Sequence, residues 1–119
     1  MFDFKHRVLI VTGAGSGIGR ATAEYFHRCG ASVVLGDINE ASVHAVAHAM
    51  DAPGTRVLAS RYDARQPCDA QALVDACMAK FGRLDFLVPA AAIYEYQLVE
   101  NMSDAQWEQT MAVNLNGVF

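Results

Sequence analysis

Thr12-Gly13-Ala14-Gly15-Ser16-Gly17-Ile18-Gly19 follows directly on the apolar run Val8-Leu9-Ile10-Val11 and leads into a segment whose apolar residues recur at helical spacing. A glycine-rich turn between strand and helix suits one chemistry above others, the holding of phosphate. Glycine admits positive φ and close backbone approach, while the first N–H groups of a helix are unpaired and carry partial positive charge. The expected guest is a pyrophosphate, and so a dinucleotide. A second apolar run, Val33-Val34-Leu35-Gly36, ends in Asp37, eighteen residues after Gly19, about where an acid meets the adenosine ribose. A carboxylate there accepts from both ribose hydroxyls and repels a 2′-phosphate, which predicts NAD rather than NADP. Asp37 also suits the cap of a helix beginning near Asn39, and the two roles can coexist.

The elements that must position these residues alternate between strand-like runs and helical stripes, with no low-complexity stretch or long linker. The first helix is predicted to turn Ile18, Ala21, Thr22, Tyr25, Phe26 and Cys29 inward and to stop at Gly30. A second carries Val43, Val46, Ala47 and Met50 before Pro53-Gly54, and Val57-Leu58-Ala59-Ser60 reads as the third strand. A third helix carries Ala70, Leu73, Val74, Cys77 and Phe81 and ends at Gly82, ahead of a fourth strand beginning at Leu84. Ser103-Asp104-Ala105-Gln106 has the pattern of a capping box opening a fourth helix. Right-handed crossovers then predict an α/β, Rossmann-like, doubly wound parallel sheet of order 3-2-1-4, one domain over residues 1–119, with ligand at the carboxyl ends of the strands.

The glycine spacing is Gly13-x-x-x-Gly17-x-Gly19 preceded by threonine, not the general G-x-G-x-x-G. In Val11 to Ala21 the chain closely resembles the short-chain dehydrogenase/reductases, and ordered matches continue to its end. Asp37 resembles the family's NAD-selecting acid, Asp63-Ala64 its adenine-contacting pair, Leu84-Asp85-Phe86-Leu87-Val88 its fourth strand, and Val113-Asn114-Leu115-Asn116-Gly117-Val118-Phe119 its catalytic asparagine segment. The resemblance implies a cofactor site formed by Gly13, Ser16, Gly17, Ile18, Gly19, Asp37, Ile38, Asp63, Ala64, Ala90 and Ala91, with Asn114 as the catalytic residue. It also implies an oxidoreductase that interconverts an alcohol and a ketone. Asp63 has the plainer reading of a turn ahead of Pro67, and Asn114 that of an ordinary polar helix residue. Where the family usually reads Asn-Asn-Ala-Gly after its fourth strand, this chain has Pro89-Ala90-Ala91-Ala92. Pro89 lacks a backbone donor and Ala92 adds a Cβ, so weak or unusual NAD binding is expected.

A proton donor for the carbonyl oxygen is the missing part. The family's serine, tyrosine and lysine lie in a later segment, and no Tyr-x-x-x-Lys occurs here. Four residues beyond Tyr25, Tyr62, Tyr94 and Tyr96 stand Cys29, Gln66, Leu98 and Glu100. The 119-residue chain is therefore expected to bind cofactor without turnover, as a truncated cofactor-binding portion. The alternative is a stand-alone nucleotide-binding or regulatory module.

A net charge of −4 without clustered Lys or Arg argues against nucleic acid and anionic membrane surfaces as partners. Cys29, Cys68 and Cys77 form no C-x-x-C pair, and the short charged leader and absence of a long apolar run predict a cytoplasmic protein. His44 and His48 stand four apart but lack a third ligand, so they read as solvated and no metal is expected. Tyr94, Tyr96 and Trp107 are left without a role. A fourth strand with no later neighbour exposes its edge, and homo-oligomer formation is expected through it.

Overall fold

A computed structural model describes residues 1–119. Its elements are β1 (Val8–Thr12), α1 (Gly17–Arg28), β2 (Ser32–Asp37), α2 (Glu40–Met50), β3 (Val57–Arg61), α3 (Pro67–Phe81), β4 (Phe86–Pro89) and α4 (Asp104–Met111). A single 3-10 turn occupies Val99–Asn101, and α4 runs on into a π-helical turn at Ala112–Asn116. The four strands are parallel in the order β3-β2-β1-β4.

Side chains alternate across the two faces of a strand, and here both faces are covered, which explains why β1 reads as continuous apolar sequence. Leu9, Val11, Val33 and Leu35 face one layer, where Ala23, Val43 and Val46 join them. Val8, Ile10 and Val34 face the other, with Tyr62, Leu73 and Cys77. Phe4 stacks on Phe26 at 4.5 Å between ring centroids, and Phe86 meets both edge-on.

The ends of α1 and α3 are set by glycines. Gly30 takes φ +100°, its N–H donates to His27 O, and the next N–H, Ala31, reaches back to Phe26 O; that pair of bonds satisfies carbonyls the helix would leave open. Gly82 sits at φ +71° with its N–H on Met78 O.

Three expectations are corrected. The inner face of α1 is Gly19, Ala23 and Cys29 with half-buried Phe26, whereas Ile18 is 80% exposed and Ala21 and Tyr25 also lie outside. Small residues face the sheet because the helix start passes within contact of the preceding turn, and bulk on that face would push it off. On α3 the buried stripe is also narrower than expected, Leu73 and Cys77 facing the sheet while Ala70 and Val74 are exposed. The fourth strand begins at Phe86, not Leu84; just ahead of it Asp85 N donates to Val8 O at 2.9 Å, and its side chain gathers donors from the start of β1. Its carboxylate accepts from Val8 N at 2.8 Å, from Arg7 Nη1 at 3.0 Å and from Arg83 Nε and Nη2 at 2.8 and 2.6 Å. Arg83 and its neighbours hold this carboxyl well below the usual carboxylate range.

Candidate functional site

At the carboxyl ends of the strands, where the order reverses between β1 and β4, lies a cleft of about 490 Å³. Gly13, Ser16, Gly17, Ile18, Gly19, Asp37, Ile38, Asp63, Ala64, Ala90 and Ala91 all line it. Ala92, whose added Cβ the sequence had marked, lines it too, and Tyr62, Ile93 and Val113, which sequence reasoning did not single out as site residues, complete the lining. Asn114 is not on the wall. Its amide is spent on the loop beside the cleft, Oδ1 accepting from Ile93 N at 2.9 Å and Nδ2 donating to Ile93 O at 2.8 Å.

The turn after β1 has the geometry of a phosphate cradle. A Cβ on Gly19 would lie 2.2 Å from Gly13 O, and one on Gly13 would lie 2.8 Å from Ala90 O and from the Ala91 backbone. These two glycines let helix, turn and the loop after β4 come together. Gly17 differs: it adopts φ +55° and its missing Cβ would meet nothing within 4 Å, so its bare backbone faces open cleft. The N–H groups of Ser16, Gly17, Ile18 and Gly19 donate to nothing in the chain, the first helical bond being Arg20 N to Ser16 O at 3.1 Å. Ser16 caps α1 without a side-chain capping bond, and no acid stands in the first turn. Unpaired donors, a free hydroxyl and the positive end of a twelve-residue helix thus converge on one side of the cleft. Those features fit a diphosphate.

Asp37 stands at the tip of β2 and is already engaged. Its Oδ2 accepts from Gly15 N at 2.8 Å and its Oδ1 from Asn39 N at 2.9 Å. Ser42 Oγ donates to Gly15 O at 2.7 Å, tying the turn to α2. A Cβ on Gly15 would lie 2.9 Å from both Asp37 Oδ2 and Ser42 Oγ, which gives that glycine its own reason. The helix cap itself is Asn39, whose side chain accepts from Ser42 N.

Asp63, 5% exposed, ends the run after β3. Arg65 donates to it three times, from its backbone N at 3.0 Å, Nε at 2.9 Å and Nη2 at 2.7 Å. Those Arg65 bonds lower the Asp63 pKa to about 2. The turn reading of Asp63 and its place on the cleft wall are both realised.

The loop after β4 departs from the expected wall in a defined way. Ala90 N turns back onto Val88 O at 3.1 Å around Pro89, a tight turn that the fixed φ of proline favours. Ala91 N then donates to the buried Thr12 Oγ1 at 3.3 Å. Thr12 is a positioning residue that the sequence signalled only by standing before the first glycine. On the far side, Gly117 lies so close that a Cβ would come 2.5 Å from Val113 O and 2.9 Å from Ala64. The widened turn at 112–116 is thereby seated against the loop after β3, as such turns often are beside functional sites. Tyr94, Tyr96 and Trp107 are all exposed and cover no core.

With this geometry in place, comparison with known proteins gives a consistent result. The family model described as short chain dehydrogenase matches residues 7–119. A cis-4-hydroxycyclohexanecarboxylate dehydrogenase from Sinomonas cyclohexanicum is 40% identical, over 97% of this chain and 46% of its own length. Among solved structures, a short-chain dehydrogenase/reductase described as glucose/ribitol dehydrogenase, from Brucella melitensis, superposes with a TM-score of 0.95 at 44% identity, covering 99% of this chain and 50% of that one. A short chain dehydrogenase/reductase from Burkholderia phymatum in complex with NAD gives 0.91 at 34% identity, covering 99% and 42%. The chain spans about half the length of these relatives. From residue 7 to residue 119 the protein belongs to the short-chain dehydrogenase/reductase family.

Proposed function

We propose that residues 1–119 form one NAD-binding unit, the cofactor-holding part of a dehydrogenase/reductase that interconverts an alcohol and a ketone. The observation that carries this reading is the cradle at Gly17, where four unpaired N–H groups and the start of α1 meet. The family membership and the NAD bound in the Burkholderia relative support it. Ser16, Gly17, Ile18 and Gly19 would hold the diphosphate through backbone N–H groups, and Asp37 with Ile38 would border the adenosine ribose. Asp63 and Ala64 would meet the adenine, while Ala90 and Ala91 would form the inner wall. NAD supplies a hydride acceptor or, when reduced, a hydride donor. The protein's own contribution is to orient it and to keep the inner wall in register through Thr12. Asn114 acts by fixing Ile93. No tyrosine–lysine pair stands at the cleft to move the carbonyl proton, so this chain binds without turnover.

A charged Asp37 repels a 2′-phosphate, which makes NAD the preferred form. Titration with NADH and NADPH, followed by nicotinamide fluorescence, tests this directly: NADH should bind more tightly, and Asp37→Asn should narrow the difference. Equal affinity for both in the unaltered chain would remove the role given to Asp37, and no binding of either would remove the whole reading. The free edge of β4, with exposed Leu87, supports self-association, which light scattering across a concentration series would detect. No helix is long and apolar enough to cross a membrane; a cytoplasmic location belongs to the same proposal.

A further inference from the structure

One buried side-chain polar atom in the chain has no partner. His27 Nε2, on the last turn of α1, is sealed from solvent and neither gives nor receives a hydrogen bond. The residue lines a hollow of about 340 Å³ between α1 and the end of α2, with Arg20, Glu24 and Arg28 from its own helix and Ala49 and Met50 from α2. α2 itself brings no charge to that hollow. Two charged groups approach from the chain just beyond α2. Arg56 Nη1 donates to His27 O at 3.2 Å and to Ala31 O at 2.9 Å, while Asp51 Oδ2 accepts from Arg56 N at 2.7 Å. A neutral imidazole tolerates this position, because Nε2 can be the ring nitrogen without a proton. A charged imidazole carries an N–H on both nitrogens, and the one at Nε2 would point at nothing, with the Arg56 guanidinium close by. Burial and Arg56 lower the His27 pKa below its usual 6.5, against a smaller upward pull from Asp51.

We propose that His27 is a mild-acid release for the carboxyl end of α1: neutral, it lets the last turn pack beside α2, and charged, it swings into the adjoining hollow and that turn loosens. The receiving group is Glu24, three residues back on the same helix face and lining the same hollow. Glu24 Oε1 holds Arg20 Nε at 2.7 Å, and a carboxylate has acceptor capacity for a second donor. What gives way is local. His27 O takes both Arg56 Nη1 and, at 3.0 Å, Gly30 N–H, so movement of His27 disturbs the tie to the chain ahead of β3 and the helix end together. A group whose folded pKa is lowered contributes in full above its unfolded value and loses that contribution as pH falls toward the folded one. The loosening therefore sets in near pH 6.5, above the range in which Asp63 and Asp85 take up protons, and leaves the sheet and the amino end of α1 in place.

The test reads amide exchange of the 119-residue chain at about pH 7.5 and about pH 5.5, either side of the ordinary histidine range, with the intrinsic effect of pH on exchange divided out. Protection at Cys29, Gly30 and Ala31, whose N–H groups bond to Tyr25 O, His27 O and Phe26 O, should fall by about fivefold at the lower pH. Val33 and Leu35 in β2 should keep theirs. His27→Gln, which cannot take the charge, should abolish the fall. No fall in the unaltered chain, or an equal fall in His27→Gln, overturns the proposal. If His27→Gln does not fold, the ring resonance of His27 in the unaltered chain decides: it should titrate at lower pH in the folded chain than in the chain unfolded by urea, and coincident titrations overturn the proposal.

Discussion

The stretch from β1 to α3 and the stretch after β4 are held together by different physics. The first is organised by burial: Leu9, Val11, Val33, Leu35 and Val43 are sealed between helices and sheet. After Cys77 no residue is fully buried, and order there comes from hydrogen bonds. Ser103 and Gln106 close a capping box, Gln106 Nε2 donates to Glu95 Oε1 at 2.7 Å, and Asn114 grips Ile93 from both sides of its peptide. Burial is non-directional and cooperative, while exposed hydrogen bonds compete with water and contribute little net. The two stretches should therefore differ in stability although both contribute to one cleft. The second should open locally long before the first unfolds.

The largest expected effect comes from emptying the core. Leu35→Ala should cost about 3 kcal/mol in urea-induced unfolding, and a loss under about 1 kcal/mol would mean the core relaxes more than its sealed packing allows. Next comes the cradle, where two neighbouring glycines should behave differently. Gly19→Ala places a methyl against Gly13 O and should cost about 2–3 kcal/mol of stability. Gly17→Ala meets open space and only the left-handed backbone penalty, about 1 kcal/mol, yet should weaken NADH binding far more than it weakens the fold. If the two variants lose stability and affinity in the same proportion, the cradle is not acting as a binding surface.

Acid should act on the first stretch and on the entrance to β4. Asp63 has a folded pKa of about 2 against an ordinary 3.8, and Asp85 is depressed in the same direction by Arg83. A carboxyl whose folded pKa is lowered contributes its full stabilisation above the unfolded value and loses it as pH falls through the folded one. Stability from these groups should therefore be complete above about pH 5 and fall away toward pH 2. Replacing Asp85 with Asn should flatten that slope, and an unchanged acid limb in this variant would show that the pairing with Arg83 and Arg7 is not what the acid disrupts. The smallest effect belongs to α4. Ser103→Ala should remove about 1 kcal/mol from that helix alone, visible as faster amide exchange over 104–111 with no shift in global unfolding.

Much of this layout was legible in the residues. Apolar runs at Val8–Val11 and Val33–Leu35 marked strands buried on both faces, Gly30 and Gly82 marked helix ends, and the parallel order 3-2-1-4 followed from the crossovers. The inner face of α1 was misread because hydrophobic patterning counts bulk, whereas Gly19 and Ala23 face inward for being small. The start of β4 lies two residues beyond Leu84, at Phe86, and the tertiary ties of Asp85 to Val8 and Arg7 at its mouth span 77 and 78 residues that local pattern does not read. Thr12 and Ser42 act across 79 and 27 residues of sequence, distances over which local periodicity carries no information. The π turn was equally hidden, since the spacing of Val113 to Gly117 fits an ordinary helix until Ala64 is brought against it.

The anchoring of Asp37 also bears on how the protein could change. Its two carboxylate oxygens serve as the landing points for Gly15 N–H and Asn39 N–H, so the acid is part of the scaffold as much as of the binding surface. A lineage drifting toward a phosphorylated ribose would have to replace that anion, and a single basic or aliphatic substitution would strand both donors, whereas Asn would keep one acceptor. Conversion should thus require coordinated change in the turn and at the mouth of α2, and one-step mutants should stall in poorly folded intermediates.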